Sequence, residues 1–208
     1  MTENEIDKFI ERNLKSKPNQ MIDTETGLAA LSQIAETAKK QSVEWALVGG
    51  VAMHLYGSSR LTKDVDVIAS AILDLDSEKN LGFGGKRYQI AVKEKEVPVD
   101  WIVRNDTARK FYEKALKQAH KLSNGLPIIT PEWMVILKYI AGRFKDQQDA
   151  VFLLKQKNLV NRKTVKKYII EVAGGEFWAL IASNLQRWYD LADGKITTEK
   201  EDYETGKI

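Results

Sequence analysis

The chain has 208 residues, of which 43% are hydrophobic and 29% charged, and its formal net charge at pH 7 is +3. This composition is typical of a globular protein with a real core, and the small positive charge allows a phosphate-bearing partner without demanding one. The absence of cysteine excludes disulfides and thiolate chemistry, and two distant histidines argue against a zinc site.

The N-terminal region is predicted to be helical. Apolar residues recur at helical spacing in residues 2–15 and again in 24–40, and Thr2 with Glu5 forms a capping box at the start of the first segment. This polar start does not fit a signal peptide, and no apolar run approaches the ~20 residues of a membrane span. We therefore expect a cytoplasmic protein without a membrane partner.

The middle of the chain is rich in predicted strands. A buried strand ends at Gly49-Gly50, a short helix then runs to Gly57, and a second strand follows. After a loop, two more strands are joined by a charged turn. The four predicted strands cover residues 43–48, 64–70, 86–92 and 97–103.

The C-terminal half is predicted to be mostly helical. Helical patterns cover residues 105–122, 130–156 with a division near Gly142, and 161–192. The expected fold class is α+β, a small mixed β-sheet core flanked by helices, with a C-terminal helical region. We divide the chain into N-terminal helices (1–44), core (45–125), helical region (126–192) and polar tail (193–208).

Two aspartates interrupt the second predicted strand. Residues i and i+2 of a strand point to the same face, so Asp64 and Asp66 are expected to lie side by side, about 6–7 Å apart. Like charges this close need neutralisation, and hard divalent cations prefer carboxylate oxygen. The alternative for the pair alone is a strand with a hydrated face.

A third aspartate lies in a similar setting. Asp100 follows Val99 and precedes Trp101 in an apolar, alternating strand, where packing alone does not explain a carboxylate. If this strand neighbours the one with Asp64 and Asp66, three carboxylates converge on one edge of the sheet. Such a set can hold the metals of a phosphoryl displacement.

The glycine pair and the segment after the short helix supply groups that bind phosphate. Glycine lets a phosphate approach the backbone closely, and helix N-termini attract anions. Arg60, Thr62 and Lys63 bring cations and a hydroxyl up to the aspartates. The alternative for Arg60 is a surface cation or a partner for an aspartate.

Two further motifs are interpreted as loops. Asp74 and Asp76 repeat the Asp-x-Asp pattern without a strand around it. The glycines of residues 82–86 lack the spacing and the following helix of a phosphate loop, so they are interpreted as a connection into the next strand.

Together these residues resemble a known family. Gly49-Gly50, thirteen residues, Asp64-Val65-Asp66 and the later Asp100 are similar to the signature of the DNA polymerase beta–like nucleotidyltransferase superfamily. The form of this stretch particularly resembles bacterial AbiEii-type and related nucleotidyltransferases, some of which are toxins of toxin–antitoxin or phage-defence systems. Several toxin members have Gly-Ser where this chain has Gly49-Gly50, and Gly-Gly variants occur in related small-molecule transferases.

A helical segment carries a second resemblance. Lys138 and the stretch from Lys145 to Asp149 resemble a lysine and a Lys/Arg-Asp-x-x-Asp pattern that recur after the catalytic strands of those proteins. On one helix, Lys138, Lys145 and Asp149 would share a face. A solvated helix face with an ordinary ion pair is the alternative.

The resemblance implies a nucleotidyltransferase core and a specific chemistry. Asp64, Asp66 and Asp100 would be catalytic and would hold Mg²⁺ or Mn²⁺, and the substrate would be an NTP such as ATP. The expected nucleotide-binding residues are Gly49, Gly50, Arg60, Thr62, Lys63, Lys138, Lys145 and Asp149. The favoured acceptor is an RNA 3′ end, tRNA included, and a toxin would have a cognate antitoxin protein. A small-molecule or protein acceptor, or a non-catalytic binding module of the same fold, remains an alternative.

Overall fold

The computed structural model describes residues 21–197. Within this part the chain forms an α+β fold, which confirms the predicted class. The helices are α1 (Thr24–Lys40), α2 (Gly49–Leu55), α3 (Arg109–Lys117), α4 (Pro131–Ala141), α5 (Phe144–Lys155) and α6 (Arg162–Ala192). The strands are β1 (Trp45–Val48), β2 (Val65–Ala69), β3 (Lys79–Asn80), β4 (Lys86–Val92), β5 (Lys95–Ile102), β6 (His120–Lys121) and β7 (Pro127–Ile128). The predicted helix at 2–15 and the end of the polar tail lie outside the described residues.

The strands form one mixed sheet in the order β3-β4-β5-β2-β1-β7-β6. At its centre, β2 runs antiparallel to β1 and parallel to β5. The tight hairpin between β4 and β5 turns at Lys93, whose φ is 55°. This topology puts β5 directly beside β2, as a converging carboxylate site requires.

Helices cover the sheet and form a bundle at the C-terminal end. α1 packs on β4 and β5 and buries Ala30, Leu31 and Ile34. The apolar residues that recur at helical spacing therefore form part of the core. α4, α5 and α6 pack on one another. The division predicted near Gly142 is confirmed, since α4 ends there and α5 begins at Phe144. α6 contains one break, at Gly174.

Two predicted segments are corrected. The helix predicted over residues 105–122 is confined to α3, because the chain turns at Gln118 and His120–Lys121 pairs with β7 instead. The loop predicted between β2 and β4 contains β3, which pairs with the start of β4. In both places a short strand forms because a neighbouring strand offers free backbone groups, which no local pattern announces.

In the part of the chain that the structure describes, no helix combines the length and apolar character needed to cross a membrane.

Candidate active site

Three carboxylates meet in one cavity of about 560 Å³. Asp66 of β2 and Asp100 of β5 are directly paired residues of two parallel strands, so their side chains leave the sheet next to each other. Asp64 lies just before β2 and lines the same cavity. The volume is within the range of small-ligand sites, roughly 300–1,000 Å³.

Asp64 does not belong to the strand, contrary to the expectation that both aspartates lie on it. β2 begins at Val65, so the local backbone rather than the strand ladder fixes Asp64. The hydroxyl of Thr62 donates to the Asp64 carbonyl at 3.1 Å, and Thr62 itself forms an isolated bridge with Ile22. Thr62 thus has a positioning contact that its residue type alone did not reveal.

The glycine pair lies against Asp66. Gly49 has a φ of +70°, and a Cβ there would lie 1.9 Å from Asp66 Oδ2. A Cβ on Gly50 would lie 2.3 Å from Thr62 Oγ1. The Gly50 N–H points to Asp66 Oδ2 at 3.4 Å, so in this structure the amide that we expected to face a phosphate faces a carboxylate. Both glycines belong to the first turn of α2 rather than to a turn before it.

Arg87 is a site residue that the sequence analysis missed. It lies on β4 opposite Asp100, and its Nε and Nη2 donate to the two oxygens of Asp100 at 2.5 and 2.8 Å. Nη2 also donates to Asp64 at 3.1 Å. The hydrogen bonds to Asp100 are the main reason that the pKa of Arg87 is raised.

Among the residues that the structure describes, none forms an ion pair of this kind with Asp66. Desolvation, followed by the charges of Asp64 and Asp100, raises the pKa of Asp66 to about 7. The charge of Lys138 and the hydrogen bond from Gly50 act in the opposite direction but do not outweigh them. A cation bound at Asp66 would therefore lower the electrostatic free energy of the cavity more than one bound at Asp64 or Asp100.

The donor chemistry of the three aspartates fits a hard divalent cation. However, no group of three or more His, Cys, Asp or Glu side chains among residues 21–197 is arranged to enclose a metal ion. Arg87 forms ion pairs with carboxylate oxygens of Asp64 and Asp100, so a metal cation would have to displace the guanidinium from at least one of these aspartates. Asp64, Asp66 and Asp100 are the residues that could then hold the ion.

Lys138 forms a buried charge network across the helix break. Its Nζ donates to Asp149 at 2.6 Å and to Asp146 at 3.1 Å. The prediction that Lys138, Lys145 and Asp149 share a face of one helix is corrected, because the break at Gly142 puts Lys138 on α4 and the other two on α5. Lys145 is exposed and lines the cavity.

Two arginines close this network. Arg60 Nε and Nη2 donate to the two oxygens of Asp149 at 2.8 and 3.1 Å, so its partner is an aspartate outside the three carboxylates. Arg143 donates to Asp146, which is fully buried. Asp146 is the first aspartate of the Lys/Arg-Asp-x-x-Asp pattern but was not among the expected site residues. Burial opposes ionisation of Asp146, but the bonds from Arg143 and the charge of Lys138 outweigh it, so the pKa of Asp146 is lowered.

The loop after α2 brings the predicted cations to the cavity. The His54 ring contacts the Arg60 carbonyl through Nε2 and the Thr24 hydroxyl through Nδ1, the latter at 3.0 Å. This contact ties the loop to α1. Arg60, Thr62 and Lys63 all line the cavity, and the Lys63 side chain is exposed.

Comparisons with known proteins give only remote similarities. No protein-family model and no curated protein matches the sequence. The structure is similar to an antigenic nucleotidyltransferase-like protein from Paracoccidioides brasiliensis, with a TM-score of 0.47 and 15% identity over 80% of this chain and 95% of that one. It is also similar to the antibiotic-resistance factor ANT(2'')-Ia, with a TM-score of 0.37 and 11% identity over 83% and 98%. At these values neither similarity assigns a role to any residue of this chain. The roles given to the site residues are therefore argued from the geometry of this structure.

Proposed function

We propose that this protein is a cytoplasmic, metal-dependent nucleotidyltransferase that moves an NMP from an NTP to an acceptor hydroxyl. The observation that carries the proposal is the pairing of Asp66 with Asp100 on parallel strands, with Asp64 beside them, in a cavity that Gly50 also lines. Gly49 packs directly on Asp66. Arg87 offsets the charges of Asp64 and Asp100 but does not pair with Asp66, whose pKa stays raised. A bound cation would offset the charge that remains.

The reaction in this proposal is an in-line displacement at the α-phosphorus. The acceptor oxygen forms a bond to phosphorus, the bond to the bridging oxygen of the β-phosphate breaks, and pyrophosphate leaves with that electron pair. Asp100 accepts the proton of the acceptor hydroxyl. A bound Mg²⁺ or Mn²⁺ would stabilise charge on the transferring phosphoryl group, held by Asp64, Asp66 and Asp100.

The triphosphate in this proposal lies on the β1 side of the cavity. Because Gly49 and Gly50 have no Cβ, the side chains of Asp66 and Thr62 can lie directly against the backbone there. Arg60 and Lys63 line the cavity from the loop after α2. Thr62 positions Asp64 through its backbone.

The remaining proposed nucleotide-binding residues come from α4 and α5. Exposed Lys145 can contact phosphate directly, whereas Lys138 and Asp149 form a buried ion pair with each other. Asp149 in turn fixes Arg60, so this pair contributes to binding by holding the Arg60 guanidinium at the cavity.

We further propose an RNA 3′ end, tRNA included, as the acceptor and an AbiEii-type relationship, with a cognate antitoxin if the protein is a toxin. The support is the motif resemblance from Gly49 to Asp66 and around Lys138 and Asp149. The competing assignment is a small-molecule or protein acceptor, because this chain has a glycine pair where several toxin members have Gly-Ser.

Incubation of the protein with each α-labelled NTP, Mg²⁺ and separate RNA, protein and small-molecule fractions tests the proposal. We expect label in the RNA fraction, and we expect Asp64→Ala and Asp66→Ala to abolish the transfer. Asp76→Ala, in the other Asp-x-Asp motif, is the matched control and should retain it. Equal labelling by wild type and both site variants would exclude the assigned site.

A second candidate function is a binding module without catalysis. The specific observation that favours it is Arg87, whose ion pairs with Asp64 and Asp100 already offset their charge. Calorimetric titration with each NTP, with and without Mg²⁺, separates the two. Metal-dependent NTP binding supports the enzyme, and metal-independent binding without label transfer supports the module.

A further inference from the structure

An aromatic–guanidinium stack lines the cavity beside the carboxylates. The guanidinium carbon of Arg104 lies 4.9 Å from the ring centroid of Phe83 and 4.9 Å from that of Tyr112. Asp106 holds the same guanidinium at 2.5 and 3.0 Å. Phe83, Arg104 and Tyr112 line the cavity that contains Asp100. This stack has no role in the chemistry described above.

A tight glycine turn fixes Phe83 at this position. The Gly84 N–H donates to the Leu81 carbonyl at 3.0 Å, and the Leu81 N–H donates to the Gly85 carbonyl at 3.0 Å. Gly84 has a φ of +98°, and a Cβ there would lie 2.3 Å from the Val103 carbonyl oxygen. The connection predicted for residues 82–86 is therefore a turn pressed onto the end of β5.

The exposure of Phe83 is a feature that packing does not require. Phe83 is 38% exposed although its turn is closed by two hydrogen bonds and its ring contacts Arg104. A partly exposed apolar ring that lines a polar cavity and packs on a guanidinium is a surface on which a planar, aromatic ligand can stack.

The order of the strands places this surface on one side of the carboxylates. The glycine pair adjoins β1 and β2, Asp66 is on β2, Asp100 is on β5, and the Phe83 turn lies on the end of β5. In an in-line displacement the acceptor oxygen approaches opposite the leaving group. With pyrophosphate at the glycine pair, the acceptor enters from the side of Asp100 and Phe83.

We infer that Phe83, backed by Arg104 and Tyr112, stacks on the terminal nucleobase of a single-stranded nucleic acid whose 3′ hydroxyl is the acceptor. This inference rests on the proposed function for the direction of approach. Stacking of a base on an aromatic ring is tolerant of sequence, so the surface selects an unpaired end rather than a particular base. A duplex end, whose terminal base is already paired and stacked, is a poorer ligand.

Binding of a short 5′-fluorescein-labelled oligoribonucleotide, measured by fluorescence anisotropy at fixed salt, tests the inference without any need for catalysis. The comparison ligand is the same oligonucleotide with an abasic 3′-terminal residue. Wild type should bind the base-bearing end roughly 5- to 150-fold more tightly, the range that one base–aromatic stack supplies. Phe83→Ala should remove this difference, and Phe83→Trp should keep it.

Phe144→Ala is the matched control, because Phe144 is an exposed phenylalanine (60%) that lines a different cavity with Gln147 and Leu191. It should leave the base preference unchanged. The inference is overturned if wild type binds both oligonucleotides equally, or if Phe83→Ala keeps the preference. It is also overturned if Phe83→Ala weakens binding of ATP but not of ribose 5′-triphosphate, since the stacked base would then belong to the nucleotide.

The two proposals fail in different ways. A wild-type protein that prefers the base-bearing end but transfers no label from any NTP contradicts the nucleotidyltransferase and leaves the stacking surface supported. A protein that transfers label with no base preference contradicts the stacking surface alone.

Discussion

Arg87 is bound to Asp100 through both nitrogens of one edge of its guanidinium, in a pairing that the β4–β5 register imposes. The same side chain reaches Asp64. A cationic side chain therefore already occupies part of the space in which a metal would act.

Replacement of Arg87 by methionine should destabilise the metal-free protein. The change leaves Asp64 and Asp100 without the guanidinium that pairs with both, and we expect a loss of roughly 1.5–3 kcal/mol in the free energy of unfolding at pH 7. Urea denaturation in EDTA measures it. Millimolar Mg²⁺ should raise the melting temperature of R87M more than that of wild type. An equal rise in both proteins would show that Arg87 and the metal do not compete.

Asp66→Asn should stabilise the metal-free protein at high pH. The pKa of Asp66 is raised from 3.8 to about 7 in the folded protein. Between these two pH values the folded protein keeps the carboxyl proton, whereas the unfolded chain has lost it. Stability therefore falls as pH rises from about 4 to about 7 and stays lower above it. Removal of the charge should add roughly 1–3 kcal/mol at pH 8, where the folded carboxyl is ionised, and much less at pH 4.

Urea denaturation in EDTA across this pH range checks the Asp66 prediction, with Asp76→Asn as the control on an exposed loop. A gain that is the same at pH 4 and pH 8 would mean that Asp66 does not titrate as described. The same substitution should abolish label transfer, so the residue would improve function at the expense of stability.

Gly49→Ala should disrupt the site through a collision as well as through backbone strain. The new Cβ would lie 1.9 Å from Asp66 Oδ2 at a φ of +70°. Strain alone costs roughly 1–3 kcal/mol. Gly194→Ala is a close control, because its φ is +69° and no atom of residues 21–197 lies within 4 Å of the added Cβ. Chemical denaturation should show a larger loss for G49A, and only G49A should lose label transfer.

Lys138→Met should be strongly destabilising. It removes the lysine between two buried carboxylates, and breaking such a pair costs roughly 3–5 kcal/mol. Because Arg60 and Arg143 still contact Asp149 and Asp146, we expect the lower end of this range. Exposed Lys145 gives the control K145M, which should change stability by less than about 0.5 kcal/mol.

The pH dependence of the Lys138 network follows from Asp146. A lowered carboxyl pKa contributes stability that is complete above the unfolded value of 3.8 and is lost as pH falls through the lowered folded value. Asp146→Asn should therefore destabilise most at neutral pH and least in strong acid. Denaturation curves at pH 7 and pH 3 measure the difference, and a constant loss at both would contradict the assignment.

Local periodicity was sufficient to predict the long elements but not the contacts that depend on register. α1 and β4 occur over the predicted residues because each buries one regular face. His120–Lys121 was wrongly predicted as helix, since its strand exists only through pairing with β7.

The candidate site shows the same limit. Asp66 and Asp100 can be identified as site residues from the sequence alone, because each lies in an apolar strand and burial of a lone carboxylate is costly. Arg87 alternates with Tyr88 on β4 like any solvent-facing cation, and only the pairing of β4 with β5 sets it opposite Asp100. Asp146 looks like an exposed helix residue until the break at Gly142 folds α5 back onto Lys138.

The ion pair between Arg60 and Asp149 joins residues 89 positions apart. A contact between residues so far apart carries a loop-closure entropy that no local contact has. During synthesis the segments that carry the three carboxylates leave the ribosome before α5, and the Arg60 guanidinium then has no Asp149 to bind. A nascent chain therefore holds an unfinished cavity until the residues beyond Asp149 have emerged, and truncated chains cannot complete it.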